Sequence, residues 1–299
     1  MSGSYRDLFV TASDGLRLYS RDYGPLSGTA LPVVCLSGLA RNSEDFHTLA
    51  EALSTDAARP RRVLALDYRG RGRSDWDADW THYDISTELN DVLQVLAAAG
   101  IEKAVFIGTS RGGLITMALN AARPELLAGV VLNDVGPVIE AKGLIRIRNY
   151  VGKLPSPNTF EEASHILKQL SGAQFPAFGP EQWMSMARGT WHETNGRLVL
   201  NYDPNLMKPL QALDLEAPMP DLWHLFDGLA SIPVLAIRGE NSDLLSAQTL
   251  AEMRARHPNL AAMIAPGQGH APLLAGSLIH AIEALILEAE ASLSSPELP

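Results

Sequence analysis

The chain has 299 residues, 46% hydrophobic and 19% charged, a balance that describes a soluble globular protein with a sizeable core. Its formal net charge of −10 argues against a general nucleic-acid binder, which would carry a basic footprint. Cys35 is the single cysteine, which excludes intramolecular disulfides, and no run of about 18 apolar residues is present to span a membrane.

From the N-terminus, Met1-Ser-Gly-Ser-Tyr-Arg-Asp7 has no apolar h-region, so no secretory signal is expected and a cytoplasmic location fits. Asp7 to Ala12 and Leu16 to Tyr23, around Asp14-Gly15, read as an edge hairpin. Short apolar runs then follow as buried strands: Pro32 to Leu36, Arg62 to Leu66, Ala104 to Ile107, Ala128 to Leu132, Pro233 to Ile237 and Leu260 to Ile264. Helical patterns lie between and after them, at Ser43 to Leu53, Asp84 to Ala99, Gly112 to Arg123, Ser246 to Arg256 and Leu274 to Leu287. This alternation predicts a mostly parallel sheet covered on both faces. It stops at Gly136 and resumes near Ile232. Residues 136–228 therefore read as a mainly helical insertion between the sixth and seventh core strands, with residues 1–135 and 229–299 as the core. Within the insertion, Leu198 to Tyr202 is a candidate short strand. Ser292 to Pro299 reads as a frayed tail.

The most informative segment is Ala104-Val-Phe-Ile-Gly-Thr-Ser-Arg-Gly-Gly113, a strand running through G-x-S-x-G into an Ala-rich helix. A serine on so tight a turn projects its hydroxyl from the sheet edge, beside the free N–H groups of a helix N-terminus. That arrangement suits Ser110 as a nucleophile on a carbonyl. A serine needs a base, and the base needs an orienting acid. His270, in the loop Pro266-Gly-Gln-Gly-His-Ala-Pro272 after the last strand, is the candidate base. For the acid, Arg238-Gly-Glu-Asn-Ser-Asp243 offers Asp243, the favoured choice because it lies deeper in its loop, and Glu240. Asp134, at the end of the preceding strand, is a further alternative.

The order Ser110, Asp243, His270 on an alternating β/α chain resembles that of the α/β-hydrolase superfamily, and the resemblance covers nearly the whole chain. Leu36-Ser-Gly-Leu39 occupies the place of that family's His-Gly oxyanion loop. Asp67-Tyr-Arg-Gly-Arg-Gly-Arg-Ser74 is similar to its D-x-x-G-x-G-x-S turn. The resemblance implies an eight-stranded, mostly parallel sheet with helices on both sides, and a lid formed by residues 136–228. It also implies an oxyanion hole from the backbone N–H groups of Leu39 and Arg111, with Gly38 shaping the site. Trp183 and Trp191, with Phe175, Phe178, Met184, Met186 and Leu206, are to be shared between the lid's own core and the substrate pocket.

Ser37 and Arg111 depart from the family, which has histidine at the first position in many members and usually Met, Leu or Gln at the second. Arg111 would either read a substrate carboxylate or be neutralised by an internal acid such as Glu44, Asp45 or Asp134; the cost of an unpaired buried charge favours the second. Gly70 and Gly72 lack the third glycine of a dinucleotide fingerprint, and Arg69, Arg71 and Arg73 are expected on internal carboxylates or water. Without H-E-x-x-H or a cysteine cluster, no metal and no cofactor is expected. The expected activity is hydrolysis of small carboxylic esters or lactones through an acyl-enzyme. Its alternatives are carbon–carbon bond hydrolysis of diketo acids or enol-lactone hydrolysis on the same site, and a slow-turnover receptor.

Overall fold

The computed structural model describes residues 4–217 and 219–294. Strands β1 (Tyr5–Thr11) and β2 (Arg17–Tyr23) form the expected antiparallel hairpin. Then come β3 (Val33–Leu36), α1 (His47–Thr55), β4 (Val63–Asp67), α2 (Ile85–Ala99), β5 (Ala104–Thr109), α3 (Arg111–Ala122) and β6 (Leu127–Asn133). The insertion follows with α4 (Ala141–Tyr150), α5 (Phe160–Ser171), α6 (Pro180–Thr190), the small hairpin β7 (Trp191–Thr194) and β8 (Arg197–Leu200), α7 (Lys208–Ala212) and α8 (Trp223–Asp227). The chain closes with β9 (Val234–Gly239), α9 (Ala247–Arg256), β10 (Leu260–Ala265) and α10 (Ser277–Ser294). Of the expected tail, residues 292–294 belong to α10, and the remainder lies outside the described residues.

Eight strands form one sheet in the order β1-β2-β4-β3-β5-β6-β9-β10, parallel from β4 onward. Period-two alternation sorts its side chains between two cores. Val34, Leu36, Leu64, Leu66 and Phe106 pack with α2, α3 and α9 on one face. Val33, Cys35, Val63, Ala65, Val105 and Ile107 pack with α1 and α10 on the other. Burial on both faces explains why these strands read as continuous apolar runs.

The strand order reverses around β3, which pairs with β4 on one side and β5 on the other. The connection after β3 runs to β4 on one side and the connection after β5 runs to β6 on the other, so the loops after β3 and β5 part at their carboxyl ends. Such a switch point opens a crevice above the sheet. It sets Gly38 and Leu39, from the first loop, beside Ser110, from the second.

The insertion has an apolar cluster of its own, built from Ala163, Leu167, Phe175, Trp183, Ala187, Trp191 and Leu198. A second cluster, including Ile147, Val151, Tyr202, Leu206 and Met207, docks it on Ala40, Tyr83 and Leu244 of the core. Polar bonds complete the seam: Gly72 N–H to Asn201 O at 2.8 Å, Asp203 N–H to Gly70 O at 2.8 Å, and Tyr83 O–H to an Asp203 carboxylate oxygen at 2.6 Å.

Helix α3 lies so close to β3 that a Cβ on Gly112 would stand 2.0 Å from the Leu36 carbonyl oxygen. Backbone cannot yield as a flexible side chain can, so Gly112→Ala is expected to cost about 3 kcal/mol or more, at the upper end of overpacking penalties. Gly28→Ala, with nothing within 4 Å of its new Cβ, should shift stability by less than about 0.5 kcal/mol. Thermal unfolding of the two variants checks the contrast.

Candidate active site

Ser110 occupies the turn between β5 and α3 with φ 52° and ψ −116°, a strained conformation for a residue with a side chain. Its N–H donates to Asn133 O at 3.0 Å, and its carbonyl accepts from Gly113 N–H at 2.9 Å. Backbone bonds before and after it thus hold the turn, and the hydroxyl faces the crevice. The loop after β10 brings His270 over it: Nε2 lies 2.9 Å from Ser110 Oγ. The histidine side chain is only 9% exposed.

The acid on the far side of the ring is Asp134. Its Oδ2 lies 2.8 Å from His270 Nδ1 and also accepts from Ser242 Oγ at 2.6 Å, while Oδ1 accepts from Gly239 N–H at 2.7 Å. Asp134 follows β6 with φ 56°, a left-handed turn that aspartate tolerates better than most residues, and its side chain is fully buried. Two donors already bond this carboxylate, and the arrangement accommodates an Nδ1–H tautomer whose Nε2 accepts the serine hydroxyl.

The favoured expectation for the acid is therefore corrected. Asp243 does not reach His270. Its carboxylate makes a bidentate pair with Arg146 of α4, at 2.6 and 2.9 Å. Burial raises the Asp243 pKa, but the guanidinium outweighs it and holds the carboxyl below its ordinary value. Glu240 instead accepts from Gly267 N–H at 2.7 Å. In the loop after β9 the residue that meets the histidine's acid is Ser242, one position before the expected carboxylate.

The Gly38–Leu39 loop lies against the serine. The Cβ that Gly38 lacks would stand 3.7 Å from Ser110 Cβ. The loop is closed by Arg41 N–H to Gly38 O at 3.2 Å and Ser37 Oγ to Arg41 O at 3.0 Å. Arg111 opens α3, where a backbone N–H has no acceptor within the helix. Its side chain turns away from the cavity: Nε donates to Glu88 Oε2 at 2.5 Å and Nη2 to Tyr83 O at 3.0 Å. Arg111 is thus neutralised internally, as favoured, but by Glu88 rather than by Glu44, Asp45 or Asp134. The link from Arg111 to carboxylate-bearing diketo acids ends with that pairing.

A cavity of about 150 Å³ opens over Ser110 and His270. The insertion contributes Ile147, Tyr150, Leu154, Leu167, Phe175 and Met186 to its walls. Trp183 and Trp191 do not line it. Both are almost fully buried in the insertion's own cluster, Trp183 from α6 and Trp191 from the start of β7, with Phe175 and Leu198. Phe178 packs edge-on against Trp183, and Leu206 belongs to the docking cluster. The polar groups of the cavity wall include Asp45, Asn133, Ser171, Thr190 and Arg41, and Arg41 Nε donates to Asp45 Oδ2 at 2.8 Å and Nη1 to Thr190 Oγ1 at 2.6 Å.

The three arginines of the Asp67–Ser74 turn lie on carboxylates: Arg69 on Asp14, Asp77 and Asp91, Arg71 on Glu88, and Arg73 on Asp7. Burial lowers the pKa of Arg71, Glu88 opposes it, and the like charge of Arg111 adds to the lowering. Among the described residues, one cluster has the spacing to hold a metal ion: Asp14, Asp77 and His82. The Arg69 guanidinium already sits between its two aspartates. No helix among the described residues is long and apolar enough to cross a membrane.

Sequence reasoning does not reach Asn133, Ser242 or Glu88. Asn133 Nδ2 donates to Thr109 Oγ1 at 3.1 Å and to Pro272 O at 3.0 Å, tying the serine's strand to the histidine's loop. Glu88 does leave a signal, for it falls on the same helix face as Val92 and Val95 and opposite an arginine-rich turn.

Residues 33–280 match the model of the alpha/beta hydrolase family. The chain is 42% identical to an alpha/beta hydrolase of solved structure from Novosphingobium aromaticivorans, with a TM-score of 0.88 over 96% of this chain and 99% of that one. It is 36% identical over 281 residues to a 3-hydroxybutyrate-oligomer hydrolase from Cupriavidus necator, covering 91% of this chain and 94% of the relative. A 2-(acetamidomethylene)succinate hydrolase from Mesorhizobium japonicum is 26% identical over 85% of this chain and 84% of its own length. With the eight-stranded sheet and the serine turn, these likenesses establish that the chain belongs to the alpha/beta hydrolase family.

Proposed function

We propose that this hydrolase is a serine esterase working through Ser110, His270 and Asp134, with short hydroxyacyl esters as its substrate class. The observation that carries the reading is the unbroken series of hydrogen bonds from Ser110 Oγ, which faces the cavity, through His270 to the buried Asp134. Ser110 Oγ attacks the ester carbonyl carbon while His270 Nε2 takes its proton. Asp134 keeps the Nδ1–H tautomer and stabilises the imidazolium. The Leu39 and Arg111 N–H groups receive the oxyanion, each contributing about 3 kcal/mol of transition-state stabilisation. On collapse, the C–O bond breaks and the alcohol leaves with the proton from Nε2. A water then gives its proton to Nε2, attacks the acyl-enzyme and releases the acid, and Ser110 regains its proton. Residues 136–228 act as a lid that excludes bulk water and limits acyl size.

Two features support the hydroxyacyl class. The cavity of about 150 Å³ holds the volume of roughly five waters, enough for a short acyl chain. Among the polar groups of its wall, Arg41 and Asp45 offer a donor and an acceptor in one neutral pair, which suits a hydroxyl better than an anion. The likeness to a 3-hydroxybutyrate-oligomer hydrolase points the same way.

Ser110→Ala is expected to abolish hydrolysis of a chromogenic butyrate ester, a loss on the order of 10⁴-fold or more, with the circular dichroism spectrum unchanged. Asp134→Asn should cost about 10⁴-fold in kcat by favouring the wrong tautomer. Asp243→Asn, which disturbs the Arg146 pair and a bond to Gln174 but no bond to His270, should cost less than about tenfold. The opposite ranking of the two asparagine variants would return the acid's role to Asp243.

The substrate class is tested by comparing p-nitrophenyl 3-hydroxybutyrate with p-nitrophenyl butyrate. The enzyme should prefer the hydroxylated ester, and Asp45→Asn or Arg41→Gln should reduce that preference about five- to tenfold, the value of one hydrogen bond. Equal kcat/KM for the two esters in the wild type would remove the hydroxyacyl class and leave the esterase reading intact.

A further inference from the structure

We propose that Glu88 is a positioning residue for the oxyanion hole: its carboxylate bridges Arg71, which bonds the carbonyl of Leu39, and Arg111, and Leu39 and Arg111 are the two residues whose N–H groups supply the oxyanion donors. The inference rests on the esterase reading above and extends it to residues away from the reacting atoms.

The bonds form one continuous series. Arg71 Nε donates to Leu39 O at 2.8 Å, fixing the peptide that follows the Leu39 N–H. Arg71 Nη1 donates to Glu88 Oε1 at 2.6 Å, and to Arg69 O at 2.7 Å. The other carboxylate oxygen, Oε2, accepts from Arg111 Nε at 2.5 Å. Arg111 Nη2 is pinned by Tyr83 O at 3.0 Å. Arg111 itself carries the second donor N–H, at the start of α3. The loop after β3 and the turn after β5 belong to different strands, and Glu88, from α2, links them across the switch point.

Three observations separate this from an ordinary surface ion pair. The Arg71 and Glu88 side chains have no solvent exposure, so neither can drift as solvated side chains do. Two guanidiniums share one carboxylate, an arrangement that desolvation makes costly unless geometry repays it. Both arginines make additional bonds to backbone carbonyls, at Leu39, Arg69 and Tyr83, so their planar forks act as brackets on main chain. An oxyanion hole works only if its donors are already aimed where charge develops, and a misplacement of about 1 Å costs about 100-fold. Fixing the Leu39 loop against the start of α3 is what such aiming requires.

The test compares wild type, Glu88→Gln and Arg71→Lys. The amide introduced by Glu88→Gln keeps an acceptor for one arginine and turns an NH₂ group towards the other. The ammonium introduced by Arg71→Lys keeps a cation on Glu88 but loses the bond to Leu39 O. Three quantities are measured at a temperature at which each variant is folded: kcat and KM for the butyrate ester, and affinity for an alkyl boronic acid, which forms a tetrahedral adduct with the serine. Both variants should lose about 10- to 100-fold in kcat with KM little changed, and the boronic acid should weaken by a similar factor. Folded variants with wild-type kcat and boronate affinity would overturn the proposal, as would a rise in KM alone. Failure of both variants to fold would assign the bridge to stability only. If wild type neither cleaves the ester nor binds the boronic acid through Ser110, the esterase reading itself falls, a result distinct from normal wild-type activity with unaffected variants.

Discussion

The site depends on one backbone constraint, the conformation of Ser110. A non-glycine residue at φ 52° and ψ −116° costs of order 1–3 kcal/mol and persists only where its surroundings over-determine it. Here the surroundings are α3 pressed onto the sheet. A Cβ on Gly108 would stand 2.5 Å from Gly113 Cα, and one on Gly113 would stand 2.4 Å from Val135 Cγ1. Only a chain with small residues on both sides of the serine can bring the helix this near. Once it is there, the hydroxyl points out of the sheet edge, and the helix N-terminus lies beneath the place where negative charge would gather.

The Asp67–Ser74 turn is the second organising element. Its three arginines reach three parts of the molecule: Arg73 the first strand of the N-terminal hairpin, Arg69 the turn of that hairpin and α2, and Arg71 the loop that carries Leu39. The same turn pairs its backbone with Asn201 and Asp203 of the insertion. Buried arginine–carboxylate pairs are weak evidence for net stability. Their planar, directional geometry instead fixes distances and angles, here between the turn of the hairpin, α2 and the rim of the cavity, while backbone bonds from Gly70 and Gly72 hold the inserted segment.

Much of this architecture was legible because it rests on local rules. Each of the six apolar runs became a strand of the sheet; the five interior ones are buried on both faces, which demands continuous apolar sequence, while β10 lies at the sheet edge and is largely half-buried or exposed. Ser110 and His270 were singled out from glycine-flanked turns at strand ends, and the fold brings their side chains within hydrogen-bond distance. The acid was not. Asp134 and Asp243 each follow a strand end, and choosing between them requires the direction of the side chain. That direction is set by a left-handed turn at Asp134 and by Arg146, which lies 97 residues from Asp243 in sequence and claims its carboxylate. The division of the aromatics failed for the same reason. Trp183 and Trp191 sit on adjoining elements of the insertion, and only tertiary packing decides whether their rings face the cavity or Phe175 and Leu198.

In the proposed triad, Asp134 takes the place expected of an acid after β9. The serine–acid–histidine order along the chain is kept, but the carboxylate comes from the strand next to the nucleophile's rather than from the loop after β9. That loop still contributes through Gly239 N–H and Ser242 Oγ, both donors to Asp134. Two donors from one strand end and the imidazole from the next converge on a carboxylate rooted in a third. The buried charge is hydrogen-bonded throughout, as a carboxylate in that position must be. With its acid held by neighbouring strands, the loop after β9 leaves Asp243 to pair with Arg146, and so anchors α4 of the insertion to the core beside the cavity it helps to enclose.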